Sequence, residues 1–215
     1  VRCPNLHHLA AECTARVRLL CNVKGLNVEM LDPPGFRTDA FRTINPIGKI
    51  PALQLDDGTI LPESEVICEY LEDMFPTPSL RPANARDRAQ ARLIARMSDI
   101  YIMPSVRPLI FKLFGREISA QAVAEAIPNL RVALKDLEAL IGEGGYAVAK
   151  QLTHADGALA ASLLFVTTIL PRFDVPEPLA DYPKIAAYWA AIGKDPHIAK
   201  ILGEMRVGMK AAFGG

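Results

Sequence analysis

A cysteine, Cys13, lies in the first turn of a helix that the sequence predicts from Glu12 to Lys24. Helix N-termini favour the thiolate, so a cysteine here can act as a nucleophile or as a hydrogen-bond donor to another sulfur atom. Thr14 offers a hydroxyl beside it, and the backbone amides of Glu12 and Cys13 can act without any side chain. The alternative is core packing, because Cys13 also belongs to an apolar series at helical spacing with Val17, Leu20 and Cys21.

Two adjacent histidines, His7 and His8, end a strand predicted near residues 6–9. Successive strand residues point to opposite faces, so one histidine, for which we choose His8, can polarise a sulfur atom at the site. For the same reason Cys3, His7, His8 and Cys13 cannot readily converge on one metal ion. We therefore predict no metal site.

A second candidate site lies at Glu63 and Ser64, where a helix is predicted to begin. Ser64 is a good N-cap residue, and capping alone explains it. The functional alternative is that the helix N-terminus and the hydroxyl bind a carboxylate while Glu63 binds an ammonium group. Together they would suit the zwitterionic end of an amino acid.

Pro51 stands at the entry of a predicted strand that begins with Pro51 and ends at Leu55. A trans proline at a strand start is the ordinary interpretation. A cis Pro51 would leave the backbone of Ile50 open to pair with an extended peptide.

A pocket wall is predicted on the long helix from Ala85 to Met103, which Pro104 should kink. Tyr101 and Arg107 are our candidates for binding a second substrate there, and Arg107 would suit an anionic one. The alternatives are core packing for this segment and a surface position for Arg107.

The predicted secondary structure that positions these residues is mixed at the start of the chain and helical later. Strand and helix patterns alternate up to residue 76, Pro76, Pro78 and Pro82 punctuate the segment that follows, and only helix patterns appear from residue 85. The sequence thus predicts an α/β domain over residues 1–76, a linker over 77–84 and an all-helical bundle over 85–215. A Thr-x-x-Asp capping box, Thr153 to Asp156, should start the buried helix of that bundle.

The charge balance, the cysteines and the apolar segments indicate which kind of protein the chain is. Lys and Arg number 24 and Asp and Glu also number 24, so no net field directs the chain to nucleic acid or to a membrane surface. The four cysteines lack CxxC spacing in a chain too long to need disulfide staples, which favours free thiols in the cytoplasm. The apolar segment from residue 158 to 170 is too short to span a bilayer and is better interpreted as a core helix.

Several motifs in this order together resemble one family. NPIGKIPAL (45–53), DGTILPES (57–64) and EYLE (69–72) precede the capping box and a late YPKIAAYW (182–189). This arrangement resembles the cytosolic glutathione S-transferases, and CTARVRLLCNVKGLNVE (13–29) is most similar to the zeta class and related bacterial enzymes.

The resemblance implies a thioredoxin-like first domain with a cis Pro51 and glutathione as co-substrate. By position, Glu63 and Ser64 would bind the γ-glutamyl end, the backbone of Ile50 would pair with the cysteinyl residue, and Lys49 would reach the glycine carboxylate. The position that holds the serine of zeta-like members is Ala11 here, whereas Cys13 coincides with the cysteine of the bacterial beta class.

The activity implied is transfer of glutathione to small hydrophobic electrophiles by a cytoplasmic homodimer. Three alternatives stay open: a glutathione-dependent isomerase or ether- or halide-cleaving enzyme, a thiol reductase that uses Cys13, and a glutathione-binding or scaffolding protein that lost catalysis with Ala11. The basic residues that could line the dimer interface, or form a solvated face, are Arg86, Arg88, Arg92 and Arg96.

Overall fold

The structure, a computed structural model, describes residues 2–4, 11–31, 34–35 and 37–213. Its first part is a four-stranded sheet of order β2-β1-β3-β4. The strands are β1 (Arg2–Pro4), β2 (Glu29–Leu31), β3 (Ala52–Gln54) and β4 (Ile60–Pro62). The β1–β2 pair is parallel, and the β1–β3 and β3–β4 pairs are antiparallel.

Three helices accompany this sheet: α1 (Glu12–Lys24), α2 (Asp39–Arg42) and α3 (Ser64–Met74). Helix α1 lies between the two parallel strands in sequence, as a parallel connection requires. It ends at Gly25, whose φ of 64° is the left-handed conformation, and Leu26 N donates to Cys21 O at 2.9 Å. Gly25 therefore ends the helix as the sequence predicts.

The rest of the described chain is helical. It contains α4 (Ala85–Met97), a π-helical segment (Ser98–Ile102), α5 (Met103–Leu113), α6 (Ala120–Leu140), α7 (His154–Ile169), a 3₁₀ turn (Leu170–Phe173), α8 (Pro183–Ile192) and α9 (Pro196–Phe213). The predicted order of an α/β part followed by a helical part is confirmed.

Helix α7 is the centre of the larger core. All but two of its sixteen residues are buried, and α1, α4, α5, α8 and α9 contact it. One stretch, His154–Phe173, is long and apolar enough to cross a membrane by length and composition, but 83% of it is buried inside the protein. The stretch is longer than the segment 158–170 that the sequence analysis considered too short to span a bilayer, whereas its burial agrees with the predicted core helix.

The connection between the two parts is packed on the first. Lys24 Nζ donates to Pro78 O at 2.7 Å, and the buried Glu72 accepts from Leu80 N at 2.9 Å. Helix α3 ends at Met74 and α4 begins at Ala85, on either side of the predicted linker. The exact domain boundaries stay a prediction.

Two local expectations were wrong. Ser64 is the first helical residue rather than the N-cap; Glu63 holds the cap position with a φ of 70°, because the chain must turn from β4 into α3 within one residue. The helix expected from Ala85 to Met103 is interrupted by the π-helical segment, where Met103 N donates to Ser98 O. This wider turn comes directly before Pro104, which has no amide hydrogen to donate.

The predicted strand near residues 6–9, with His7 and His8, lies outside the described residues. The helix α2 was not predicted, since four residues are too few to show a period.

Candidate active site

A cavity of about 290 Å³ opens where the N-termini of α1 and α3 meet the start of β3 and the turn between α4 and α5. Seven of the candidate residues line it: Cys13, Lys49, Ile50, Pro51, Glu63, Ser64 and Arg107. Two further lining residues had other expected roles: Glu12 as a backbone donor, and Arg96 at a dimer interface or on a solvated face. The sequence did not single out the rest, which are Ile47, Pro62, Glu65, Asp99 and Ile100.

Cys13 lines the cavity from the first turn of α1. Its Sγ donates to Ile50 O at 3.2 Å, while Val17, Leu20 and Cys21 continue the same helical series into the core. Burial, and after it the charge of Glu12, raise the pKa of the Cys13 thiol to about 12, although Arg16 and hydrogen bonds with Thr14 act in the opposite direction. Both sequence interpretations are thus partly realised: the residue ends the core series and faces the site.

The N-terminus of α1 supplies backbone donors at the same place. Its first backbone hydrogen bonds run from Thr14 N and Ala15 N to Ala11 O, at 3.1 and 3.0 Å. The amides of Glu12 and Cys13 precede these bonds, so they are the pair that an anion at the helix end would meet. The methyl group of Ala11, at the cap position, can donate nothing.

The Ile50–Pro51 peptide bond is cis. The loop before it is held by Asn45, a fully buried residue whose Nδ2 donates to Lys49 O at 2.7 Å and whose Oδ1 accepts from Ile47 N at 3.1 Å. Because Asn45 fixes this loop, the backbone of Ile50 keeps a defined direction toward the cavity. Sequence reasoning missed Asn45, although its place at the start of the NPIGKIPAL motif was a signal.

Glu63 and Ser64 form the opposite end of the cavity. Ser64 is buried, and the first backbone hydrogen bond of α3 runs from Ile67 N to Glu63 O at 2.9 Å. The amides of Ser64 and Glu65 precede it, so this helix also presents donors at its end. The N-termini of α1 and α3 therefore open into the same cavity as the backbone of Ile50.

A buried arginine, Arg16, forms ion pairs close to the N-termini of α1 and α3. Arg16 is 1% exposed; its Nη1 donates to Asp99 Oδ2 at 3.0 Å and to Glu65 Oε2 at 3.2 Å, and its Nη2 also pairs with Asp99. It therefore connects α1, α3 and the π-helical segment. A charged residue inside the apolar series of α1 was the signal that could have revealed it.

The helical side of the cavity carries charge and an apolar patch. Arg96, Ile100 and Arg107 line the cavity from the helical part, and Ile47 and Lys49 line it from the loop before β3. Tyr101 is 51% exposed and lies outside this lining, and Thr14 is buried in the core and outside it as well. His8 lies outside the described residues.

Comparison with known proteins gives the family. A model described as "Glutathione S-transferase, N-terminal domain" matches residues 6–79, and one described as "Glutathione S-transferase, C-terminal domain" matches residues 115–204. The chain belongs to the glutathione S-transferase family. Its first domain is thus thioredoxin-like, its second domain is the helical one of this enzyme family, and its co-substrate is glutathione.

Relatives of this glutathione S-transferase include isomerases. The maleylacetoacetate isomerase of Mus musculus is 31% identical over 186 residues, which are 83% of this chain and 82% of the relative. A glutathione S-transferase of Pseudomonas putida F1 is 26% identical over 91% of this chain and 89% of its own. The solved structure of a bacterial maleyl pyruvate isomerase, described as a zeta-class glutathione S-transferase, is 28% identical with a TM-score of 0.74, covering 94% of this chain and 96% of its own.

Proposed function

We propose that glutathione binds in this cavity in extended form along Ile50. The γ-glutamyl end lies at Glu63 and Ser64, the cysteinyl backbone pairs with Ile50, and Lys49 takes the glycine carboxylate. The observation that carries the proposal is that one cavity joins the N-termini of α1 and α3 across a cis Pro51. Each helix end offers amides to a negative group, which suits the sulfur at one end and the amino-acid carboxylate at the other.

The thiolate is stabilised by the start of α1. Because Ala11 offers no hydroxyl, the donors are the amides of Glu12 and Cys13 together with the Cys13 thiol, whose hydrogen is shared with Ile50 O at 3.2 Å in the free protein. A protonated Cys13 is the state this role needs, and its raised pKa keeps it protonated. Cys13 is therefore a donor to sulfur in this proposal.

The thiolate attacks a small hydrophobic electrophile that enters between the two domains. Ile47 and Ile100 offer apolar contact, and Arg96 and Arg107 favour an electrophile that also carries an anionic group. The enzyme holds the two reactants together and withdraws them from water, which accelerates the transfer.

The ultraviolet absorbance of the bound thiolate against pH tests the activation. We expect the pKa of bound glutathione to lie below that of free glutathione and to return partly toward it in Cys13→Ala. A lowered pKa that the substitution does not change would assign the role to the backbone amides alone. Bound glutathione with an unchanged pKa would favour the non-catalytic alternative, and turnover of any electrophile would rule that alternative out.

A glutathione-dependent isomerisation is the second candidate, favoured by the two isomerase relatives and by Arg107, a cation in the cavity lining that suits an acidic substrate. The thiolate adds to a cis double bond, the resulting single bond rotates, and elimination returns glutathione unchanged. A maleyl-type acid tests this: isomerisation without consumption of glutathione supports the isomerase, and stoichiometric consumption supports the transferase.

Assembly and compartment follow from the same resemblance. We propose a homodimer that uses α3 and α4, where Val66, Met74 and Leu93 are large exposed apolar residues. Light scattering that gives a monomer would overturn it. Cys13, Cys21 and Cys68 are free thiols, which agrees with a reducing cytoplasm.

A further inference from the structure

A cluster of three possible metal ligands joins the two domains behind the cavity. Glu65 and Glu69 lie one turn apart on the same face of α3, and His154 is the first residue of α7. One ligand atom from each lies within 4.8 Å of the other two. The residues come from two domains and from distant parts of the chain, so spacing in the sequence gave no sign of them.

The histidine lacks a partner that would explain its burial. The His154 side chain is 6% exposed, and its Nε2 has no hydrogen-bond partner among the described residues. The nearest carboxylate atom, Glu65 Oε1, is 3.7 Å away, which is too far for a hydrogen bond. A buried ring nitrogen that lacks a partner and lies beside two carboxylates is the geometry that a metal ligand needs.

Both glutamates form ion pairs with neighbouring arginines. Glu65 directs Oε2 to Arg16 and Oε1 to His154. Glu69 pairs with Arg81 and, at 3.4 Å, with Arg92. Arg16 and Arg81 are shared with Asp99 and Asp73, and Arg96 also pairs with Asp99, so the two glutamates belong to a network of four carboxylates and four arginines. Carboxylates that bind metals commonly keep such outer partners.

We infer that Glu65, Glu69 and His154 form a site for a divalent transition-metal ion such as Zn²⁺. Two ligands in tetrahedral geometry around zinc lie about 3.4 Å apart, close to the separation of His154 Nε2 and Glu65 Oε1. Glu69, whose side chain is 31% exposed, must turn its carboxylate partly away from Arg81 and Arg92 to complete the set of ligands. An imidazole ligand selects a transition metal over Mg²⁺ or Ca²⁺, and three protein ligands leave a position for water.

Metal binding would tie α3 to α7 and fix Glu65, the residue next to Ser64. The inference does not rest on the proposed function, because it is argued from the three side chains alone, although Glu65 also lines the cavity. It would give the active-site helix a second anchor in the helical domain.

Titration of the full chain with ZnCl₂ by calorimetry tests the site. Because His7 and His8 can bind zinc themselves, all proteins carry His7→Gln and His8→Gln. We expect one Zn²⁺ per chain, a higher unfolding midpoint in its presence, and a Kd raised at least tenfold by Glu69→Gln and by His154→Gln. His197→Gln, a partly buried histidine in the first turn of α9, is the matched control and should keep the affinity.

Circular dichroism shows whether each variant is folded. If His154→Gln is not, Glu69→Gln decides, since Glu69 is partly exposed on a helix. Absence of zinc binding, or binding that neither substitution weakens, would overturn the inference. Co²⁺ gives an independent check, because its visible absorption should change on binding and should lose that change in Glu69→Gln.

Discussion

Cys13 shows that position on a helix does not decide reactivity alone. A helix N-terminus lowers the pKa of a thiol. At Cys13, burial and the neighbouring charge of Glu12 raise the pKa by more than the helix end lowers it, so the pKa is raised. This residue therefore suits the donor role better than that of a nucleophile in a mixed disulfide.

We expect Cys13 to alkylate about a thousandfold more slowly at pH 8 than a thiol of pKa 9.0, because a pKa of about 12 reduces the thiolate fraction by that factor. The rate should still increase between pH 9 and pH 10 and show no plateau there. Iodoacetamide labelling followed by peptide mass spectrometry measures it, with a short cysteine peptide that lacks the γ-glutamyl group in the same tube as reference. Fast labelling with a plateau below pH 9 would instead support the thiol reductase.

Glu12 supplies a second prediction at this scale. Its carboxylate lines the cavity and raises the pKa of Cys13, so it should also oppose the thiolate of bound glutathione. Glu12→Gln should lower the pKa of bound glutathione by roughly 0.5, as loss of one partly screened charge implies. Glu117→Gln, an exposed residue outside the cavity lining, is the control and should leave that pKa unchanged.

Among the elements, α7 depends most on how it begins. Asp156 accepts from Thr153 N at 2.8 Å, from Thr153 Oγ1 at 2.9 Å and from Ala147 N at 2.8 Å, all buried, so the predicted capping box is present and also fastens the preceding loop. Removal of this carboxylate leaves two buried amides unpaired.

Asp156→Ala should therefore lower the free energy of unfolding by about 2–4 kcal/mol, more than loss of a cap alone. Ser119→Ala removes the N-cap of α6, whose Oγ accepts only Ala122 N at 3.2 Å in an exposed position. It should cost about 1 kcal/mol. Urea denaturation compares the two, and equal losses would show that the buried bonds of Asp156 contribute little.

The elements also show what the sequence can predict. Helices α1 and α3 match their predicted bounds because a 3.6-residue apolar period and a clear end signal, such as Gly25, coincide. The π-helical segment and the positive φ of Glu63 were missed, since both are set by contacts between elements rather than by local preference. In the site, the motif residues around Pro51 and Ser64 were predictable, whereas Arg16 and Asp99 meet only after the two domains pack.

At the scale of the whole molecule, the contact between α1 and α7 joins the two domains. Helix α1 carries the cavity's thiol end on one side and packs on α7 with the other. Gly157, on α7, allows this approach: a Cβ there would lie 2.9 Å from Leu19 Cδ2 and 3.1 Å from Arg16 Cα. The second distance is to backbone, which cannot move away as a flexible side chain can.

Gly157→Ala should thus push α1 from α7, lower the free energy of unfolding by about 1–3 kcal/mol and displace Arg16 beneath the cavity. Gly203→Ala is the matched control, because Gly203 lies inside helix α9 and a Cβ there meets nothing within 4 Å. Alanine should stabilise that helix by about 0.5–1 kcal/mol. Urea denaturation and glutathione affinity are measured for both variants. If Gly157→Ala raised the free energy of unfolding, as Gly203→Ala should, the contact between α1 and α7 would have room for a methyl group. A loss of affinity confined to Gly157→Ala would show that the packing of α1 on α7 positions the glutathione site.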